Sequence, residues 1–334
     1  MASGHLEVQI KMEKKFDVTA LGELLIDFTE NGVSDQGNPM LEANPGGAPC
    51  NVLAMLQKLG KKTSFIGKVG SDQFGRMLKE TIESVGIDSE NLIMDEKVHT
   101  TLAFVHTFED GDRDFSFYRN PGADMMLAVE DVQRERIEAS KVFHFGTLSS
   151  THEQCRAATR FALRCAKDAD VLVSFDPNLR EPLWADLEDA KREIAYGLER
   201  ADVVKISDNE VVFMTGEEDY EIAARILKEK YQIPLLFVTL GRDGSRAYYK
   251  DLRVEVPGFI QENTIETTGA GDTFTGCVLS KILDFGGIKA LTEEQLKEML
   301  VFANAGASLI TTRRGALRVM PEEEEILALM QEEK

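Results

Sequence analysis

The sequence predicts an α/β fold: a mostly parallel central sheet flanked by helices, with a small separate β-sheet attached. Three observations carry this. Short apolar runs alternate with longer amphipathic stretches along most of the 334 residues. Polar residues crowd the carboxyl ends of those runs. Two segments follow neither rhythm.

The apolar runs are Val18–Ile26, Val142–Leu148, Val171–Phe175, Val203–Ile206 and Leu235–Leu240. Their density of Val, Ile, Leu and Phe suits strands buried on both faces of a parallel sheet. Between them lie Ala48–Leu59, Phe74–Val85, Glu153–Ala166, Leu187–Leu198 and Ile222–Lys230, which have helical spacing. Parallel neighbours need such crossovers, and these are right-handed. The exceptions are Thr29–Asn44, with no helical period, and Thr100–Arg119, two alternating runs around Asp110-Gly111. Asp-Gly between alternating runs is a strong hairpin signal. Neither segment is apolar enough for the inside of a parallel sheet, so both are assigned to a small sheet acting as a lid or an interface. The expected organisation is a main domain over 16–28, 45–99 and 120–334, a lid over 29–44 and 100–119, and an N-terminal extension or tag remnant over 1–15. The tail from Pro321 reads as a helix start with Glu322–Glu325 in its first turn, matched to the helix dipole.

Hydrophobic residues make up 43% of the chain and charged residues 29%, enough apolar material for a large core rather than a disordered chain. No run approaches the length needed to cross a bilayer. The 58 acidic against 38 basic residues give a net charge of −20, which disfavours nucleic-acid binding through a cationic surface. Any bound anion must be held locally, by backbone N–H groups, a few cationic side chains or Mg²⁺. Cys50, Cys155, Cys165 and Cys277 form no CxxC or zinc spacing and read as buried reduced thiols. The five histidines lack nucleophile partners by motif. The first 15 residues have no apolar signal-peptide core, so the expectation is a cytoplasmic protein.

In open α/β sheets ligands bind beyond the carboxyl ends of strands. That places Asp27, Asp176, Asn178, Ser207, Thr239 and Gly241 among the candidates. The strongest local motif is Thr267-Thr268-Gly269-Ala270-Gly271-Asp272, which opens into a stretch of helical spacing. Small residues leave the N–H groups at the helix start open, an anion hole backed by the helix dipole. Asp272, in that first turn, can take a proton from an attacking hydroxyl; it can equally serve only to stabilise the helix start. A second glycine turn, Asn44-Pro45-Gly46-Gly47-Ala48-Pro49-Cys50-Asn51, also runs into a helix, with Gly46 and Gly47 permitting close approach of a ligand and Asn51 one turn in. Neither GxGxxG nor GxxxxGK[ST] occurs, which argues against a dinucleotide-binding dehydrogenase and excludes a P-loop kinase.

Together these features resemble the ribokinase-like (PfkB) sugar kinases over nearly the whole chain from Phe16. The hallmarks are "PGGAPCN" and "TTGAGDTF", in that order, and "GELLIDF", "FYRNPGADMML", "SFDPNLREPLW" and "KISDNEVVFMTG" place the likeness nearest the fructokinase branch. The resemblance implies a three-layer ribokinase-like sandwich with a β-sheet lid, and ATP-dependent phosphorylation of a sugar hydroxyl, with fructose giving fructose 6-phosphate. It implies Asp272 as base, and Gly269, Ala270 and Gly271 as the anion hole. Asp27, Gly46, Gly47, Asn51, Arg119 and Arg180 match sugar-side positions. Thr239, Gly241, Gly244, Asn304, Ser308 and Ser207 match nucleotide-side positions. Glu210 matches the acidic member of an N-x-x-E motif that organises Mg²⁺ through water, although Ser207 stands where the motif has Asn. Glu266, Thr268 and Gly315 match a K⁺ site, with Glu266 replacing the usual Asp. Pairing of two copies through the lid is also expected, driven by Leu102, Phe104, Phe108, Phe115 and Phe117. The rival substrate is 2-keto-3-deoxygluconate; a non-catalytic regulator of the same fold is the alternative of another class.

Overall fold

A computed structural model describes residues 13–107 and 113–332, with no side chains given from 106 to 115. The chain opens with β1 (Phe16–Leu21), β2 (Leu25–Val33) and β3 (Pro39–Gly46), then α1 (Ala48–Lys58), β4 (Thr63–Gly70), α2 (Gln73–Ser84) and β5 (Asp88–Asp95). The pair β6 (Leu102–Thr107) and β7 (Arg113–Tyr118) follows, then α3 (Arg134–Glu138), β8 (Ser140–Phe145), α4 (Glu153–Asp168), β9 (Leu172–Phe175) and α5 (Leu187–Leu198). The second half runs β10 (Val203–Ser207), α6 (Asp208–Thr215), α7 (Tyr220–Tyr231), β11 (Leu235–Thr239), β12 (Ser245–Tyr249) and β13 (Leu252–Val256), closing with α8 (Ala270–Asp284), α9 (Glu293–Ile310) and α10 (Glu323–Glu332).

Nine strands form one sheet in the order β13-β12-β11-β10-β9-β8-β1-β4-β5. Only the β11–β12 and β12–β13 pairings are antiparallel. Alternate residues feed opposite faces, as strand geometry requires. In β11, Leu235 and Phe237 enter the core under α1, α2, α8 and α9, whereas Leu236 and Val238 enter the core under α4, α5 and α7. Two cores on two faces of one sheet make a three-layer sandwich. β1 lies where the strand order turns outward in both directions, the kind of crevice in which open α/β sheets bind ligands.

The small sheet has the order β3-β2-β6-β7. Here one expectation is corrected. Val18–Ile26 is not a single strand: Gly22–Leu24 interrupts it, β1 stays in the large sheet and β2 enters the small one. Asp27 therefore stands in the small sheet, not beyond the end of a parallel strand. The small sheet also takes Leu25–Phe28 and Pro45–Gly46, which the sequence pattern assigns to the main domain. Within the break residue 22 is glycine for a steric reason, since a Cβ there would lie 2.5 Å from the Pro49 ring. Strands β4, β5, β12 and β13 carried no clear signal. In β4 a lysine and two glycines dilute an otherwise fully buried strand.

Phe28 of β2 stacks on Phe104 of β6 at 5.0 Å and meets Phe74 of α2 edge-on at 5.6 Å, so the small sheet rests on the main body through aromatic contacts. Leu102 and Phe104 are thus half-buried, with Phe104 also meeting Tyr118 edge-on. Among the described residues, the exposed large apolar residues of this sheet are Val33, Met40, Leu41 and Tyr118. Phe108 and the Asp110-Gly111 turn lie outside the described residues, as do residues 1–12. All four cysteines are buried and unbridged. Among the described residues no helix is long and apolar enough to cross a membrane.

Candidate active site

Helices α1 and α8 cross closely because residue 276 is glycine. A Cβ there would meet the Met55 side chain at 2.7 Å and the Val52 carbonyl at 3.1 Å. This approach brings Asn51, one turn into α1, against Asp272 at the start of α8. The Asn51 amide Nδ2 donates to Asp272 Oδ2 at 2.8 Å. The other Asn51 polar atom, Oδ1, is buried with no hydrogen-bond partner, although buried polar atoms are normally paired. It is an acceptor for a donor that a ligand would bring.

The two glycine turns close the same cavity, of about 360 Å³. Gly47 adopts φ 125°, and a Cβ on it would strike the Glu23 carbonyl at 2.5 Å; a Cβ on Gly46 would strike Asp27 Oδ2. Only glycine lets this turn pack against the two acidic residues. Gly269 caps α8 with φ 78°, a conformation that favours glycine. The N–H groups of Ala270, Gly271 and Asp272 are among those that a helix start leaves without intrahelical acceptors; that of Ala270 donates back to the Thr267 carbonyl.

Asp27, Asn51, Arg180, Glu266, Thr268, Gly315 and Asp272 all line the cavity, together with Gly46, Gly47, Gly269 and Gly271. Residues from both ends of the chain and from both sheets thus converge. Burial pushes Asp272 up to about 6, opposed by the Asn51 hydrogen bond and by the Lys205 and Arg180 charges. Burial likewise pushes Asp27 up to about 7, with Arg180 pulling it down and Glu266 and Asp272 adding to the rise.

Two cavity residues escaped the sequence reading. Lys205 sits inside the apolar run of β10, where a buried charge was itself a signal. Its Nζ lies 3.1 Å from Asp176 Oδ2 and 2.9 Å from where a Cβ on Gly271 would stand. Although burial lowers it, the carboxylates of Asp176, Glu210 and Asp272 raise the lysine overall, so it stays charged. An ammonium therefore reinforces the α8 N-terminus. Glu23 Oε1 accepts from the Ala48 N–H at 2.9 Å, and burial lifts its pKa to about 7.

Other predicted residues lie elsewhere. Arg119 lines a neighbouring 280 Å³ cleft, not this cavity, and its guanidinium binds Asp124, Thr151 and the Leu148 carbonyl. Phe117 lines both the cleft and the cavity, so Arg119 stands beside the cavity, near the sugar-side position the resemblance implies. Glu210 is buried and engaged: Oε1 accepts from Leu179 N–H, and Oε2 from Ser207 N–H and hydroxyl, in a capping box at the start of α6. Asn304 holds α9 to the neighbouring strands, accepting from Ser245 and donating to the Val256 and Pro257 carbonyls. Ser308 donates to the Ala305 carbonyl one turn back. Thr239 ends β11, and Gly241 and Gly244 flank the short turn after it, with φ 57° and 107°. His144 is buried against Ser174, and His152 caps α4.

The large sheet, the small sheet and a helix start aimed into the cavity between them define a ribokinase-like sugar kinase. The pfkB family carbohydrate kinase pattern matches residues 15–323. The chain belongs to that family and is an ATP-dependent sugar kinase. It is 41% identical over 316 residues to probable fructokinase-2 of Arabidopsis thaliana, covering 94% of this chain and 95% of that one. In structure it is similar to a fructokinase from Xylella fastidiosa with bound ATP: TM-score 0.86, 32% identity, 96% of this chain and 99% of that one. It is also similar to a double-mutant fructokinase from Vibrio cholerae in a form with fructose, ADP and potassium bound: TM-score 0.84, 29% identity, 96% and 99% covered.

Proposed function

We propose that the enzyme phosphorylates D-fructose with ATP to give D-fructose 6-phosphate and ADP. The observation that supports this most directly is the Asn51–Asp272 contact at the α8 N-terminus, inside a cavity that Asp27 closes from the other side. Asp27 and the unpaired Asn51 Oδ1 accept from sugar hydroxyls, and the remaining hydroxyl faces Asp272. Its oxygen bonds to the γ-phosphorus as the bridging oxygen of ADP leaves in line, and its proton passes to the Asp272 carboxylate. The helix-start N–H groups and Lys205 stabilise charge on the phosphoryl oxygens.

Magnesium accompanies nucleotide phosphates, keeps much of its water, and neutralises phosphate charge. Among the described residues no group of three His, Cys, Asp or Glu side chains is arranged to hold a metal. Glu210 and Asp176 already have both carboxylate oxygens engaged, so they fit a role through bound water rather than direct ligation. Thr239, Gly241 and Gly244 form the nucleotide loop in this reading. Asn304 and Ser308 shape the wall behind it.

Fructose is uncharged, and the cavity's acidic residues, Glu23, Asp27, Glu266 and Asp272, outnumber its cations, Arg180 and Lys205. With Arg119 neutralised outside it, the cavity is poorly suited to a sugar acid. A coupled ADP-release assay across fructose, 2-keto-3-deoxygluconate, ribose and adenosine should give fructose a kcat/KM at least about tenfold above 2-keto-3-deoxygluconate, or ~1.4 kcal/mol. A better rate with the sugar acid overturns the fructose assignment. Glu266, Thr268 and Gly315 would hold K⁺ on the cavity wall, where the Gly315 N–H donates to Glu266 Oε1 at 2.6 Å. In the same assay, replacing K⁺ by a bulky organic cation should lower the rate; equal rates remove the site.

We also propose a homodimer through the small sheet, where Val33, Met40 and Leu41 are exposed on the β2–β3 edge and Tyr118 on β7, beside the half-buried Leu102, Phe104 and Phe117. An exposed apolar patch commonly marks an interface. Light scattering at micromolar concentration should give twice the chain mass; a monomer there refutes the pairing.

A further inference from the structure

We propose that Asp124 is a positioning residue that pins both ends of the β6–β7 pair, and so sets how this half of the small sheet covers the sugar cavity. The inference rests on the reading of that cavity as the sugar site.

The β6–β7 half of the small sheet joins the main body at the start of β6 and the end of β7. Thr101 immediately precedes β6 and Arg119 immediately follows β7. Asp124 holds both: Oδ1 accepts from the Thr101 hydroxyl at 2.5 Å, and Oδ2 accepts from Arg119 Nε at 2.8 Å and lies 2.6 Å from Nη2 in an ion pair. The three residues are buried, with 1%, 7% and 5% exposure for Thr101, Arg119 and Asp124. From this pin Arg119 reaches on into the main body. Nη1 donates to the Thr151 hydroxyl at 2.8 Å and Nη2 to the Leu148 carbonyl at 3.1 Å. Leu148 itself lines the sugar cavity, as do Val105 and Phe117 of the two strands that leave the pin.

The local backbone is built around this arrangement. Residue 122 must be glycine, since a Cβ there would collide with the Thr101 hydroxyl and lie 2.8 Å from Asp124 Oδ1. The Ala123 N–H donates to the His99 carbonyl, tying the Asp124 turn to the segment that enters β6. A second carboxylate, Asp72, holds the next residue back, accepting from both the N–H and the hydroxyl of Thr100. The strands thus leave the main body at fixed points. A buried pair bridging two roots also meets a stringent condition, because loss of either partner leaves the other charge uncompensated.

The test uses the full-length enzyme and whichever sugar the wild type phosphorylates best, so that an error in the fructose assignment appears in the wild-type panel and not here. Asp124→Asn keeps the size of the side chain but turns an NH2 group or a neutral oxygen toward Arg119. Thr101→Val removes one hydroxyl and leaves the ion pair intact. The expected result is a KM for the sugar raised at least about tenfold in Asp124→Asn and severalfold in Thr101→Val. In both, kcat should fall less than about threefold, the KM for ATP should hold, and circular dichroism should match the wild type. A purely structural role would reduce the active fraction, lowering kcat at constant KM. That pattern in either variant, or a wild-type sugar KM in folded Asp124→Asn, overturns the proposal. If Asp124→Asn fails to fold, Thr101→Val decides it alone.

Discussion

Asp272→Asn should reduce kcat by about 10²–10⁴-fold, the usual contribution of a positioned general base. The substitution keeps the volume and leaves an oxygen to accept the Asn51 Nδ2 hydrogen bond, so the α1–α8 crossing survives. The pH dependence has a definite sign. In the proposed mechanism Asp272 must be ionised to act as a base, and burial raises its pKa to about 6, so the wild-type rate should fall as pH drops below about 6. Stability runs the other way. A folded pKa above the unfolded carboxyl value means the folded state binds more protons between roughly 4 and 6, so this group's contribution is lost as pH rises through that window. The Asp272→Asn variant carries no such loss and should be at least as stable as the parent at pH 7 by thermal denaturation. Near-wild-type kcat in a folded Asp272→Asn enzyme refutes the mechanism.

Asp27→Asn should lower kcat/KM by about 10²–10⁴-fold through loss of sugar binding. A hydrogen bond to a charged group contributes about 1.5–3 kcal/mol, and a carboxylate can accept from two vicinal hydroxyls. The effect should fall mainly on KM, unlike that of Asp272→Asn. The two carboxylates also separate by pH. Asp27, at about 7, ionises above Asp272, so the Asp27→Asn enzyme should keep its residual kcat/KM to lower pH than the wild type. A KM within about threefold of wild type in the folded variant removes Asp27 from the sugar site.

What could be read in advance, and what could not, follows from range. The helix Leu187–Leu198 was legible residue for residue because its amphipathic period and its Asp186 cap are local features. The Gly269–Asp272 turn was legible for the same reason. Chain position alone could not split Val18–Ile26 at Gly22, because the two halves pair with different, distant partners, β4 and β8 on one side and β3 and β6 on the other. The pairing of Arg119 with Asp124 was not legible, because two residues close in sequence give no periodic sign of it. Lys205 was overlooked because strand patterning records apolar residues and passes over the single charge among them. Asn51 was placed at the site as a residue, yet its unpaired Oδ1 became apparent only with the atoms around it.

The break at Gly22–Leu24 separates two kinds of work. In the proposed reading, Asp27, Val105 and Phe117 of the small sheet meet the acceptor alongside Asn51 of α1, while Asp272, Gly269 and Lys205 of the main body handle the phosphoryl group. The inheritance of acceptor choice is therefore modular. Changes along β2, β6 and β7 can redirect which alcohol is admitted without disturbing the helix start that transfers the phosphate. Such a scaffold can diversify its substrates through one small appendage while its chemistry stays under separate constraint.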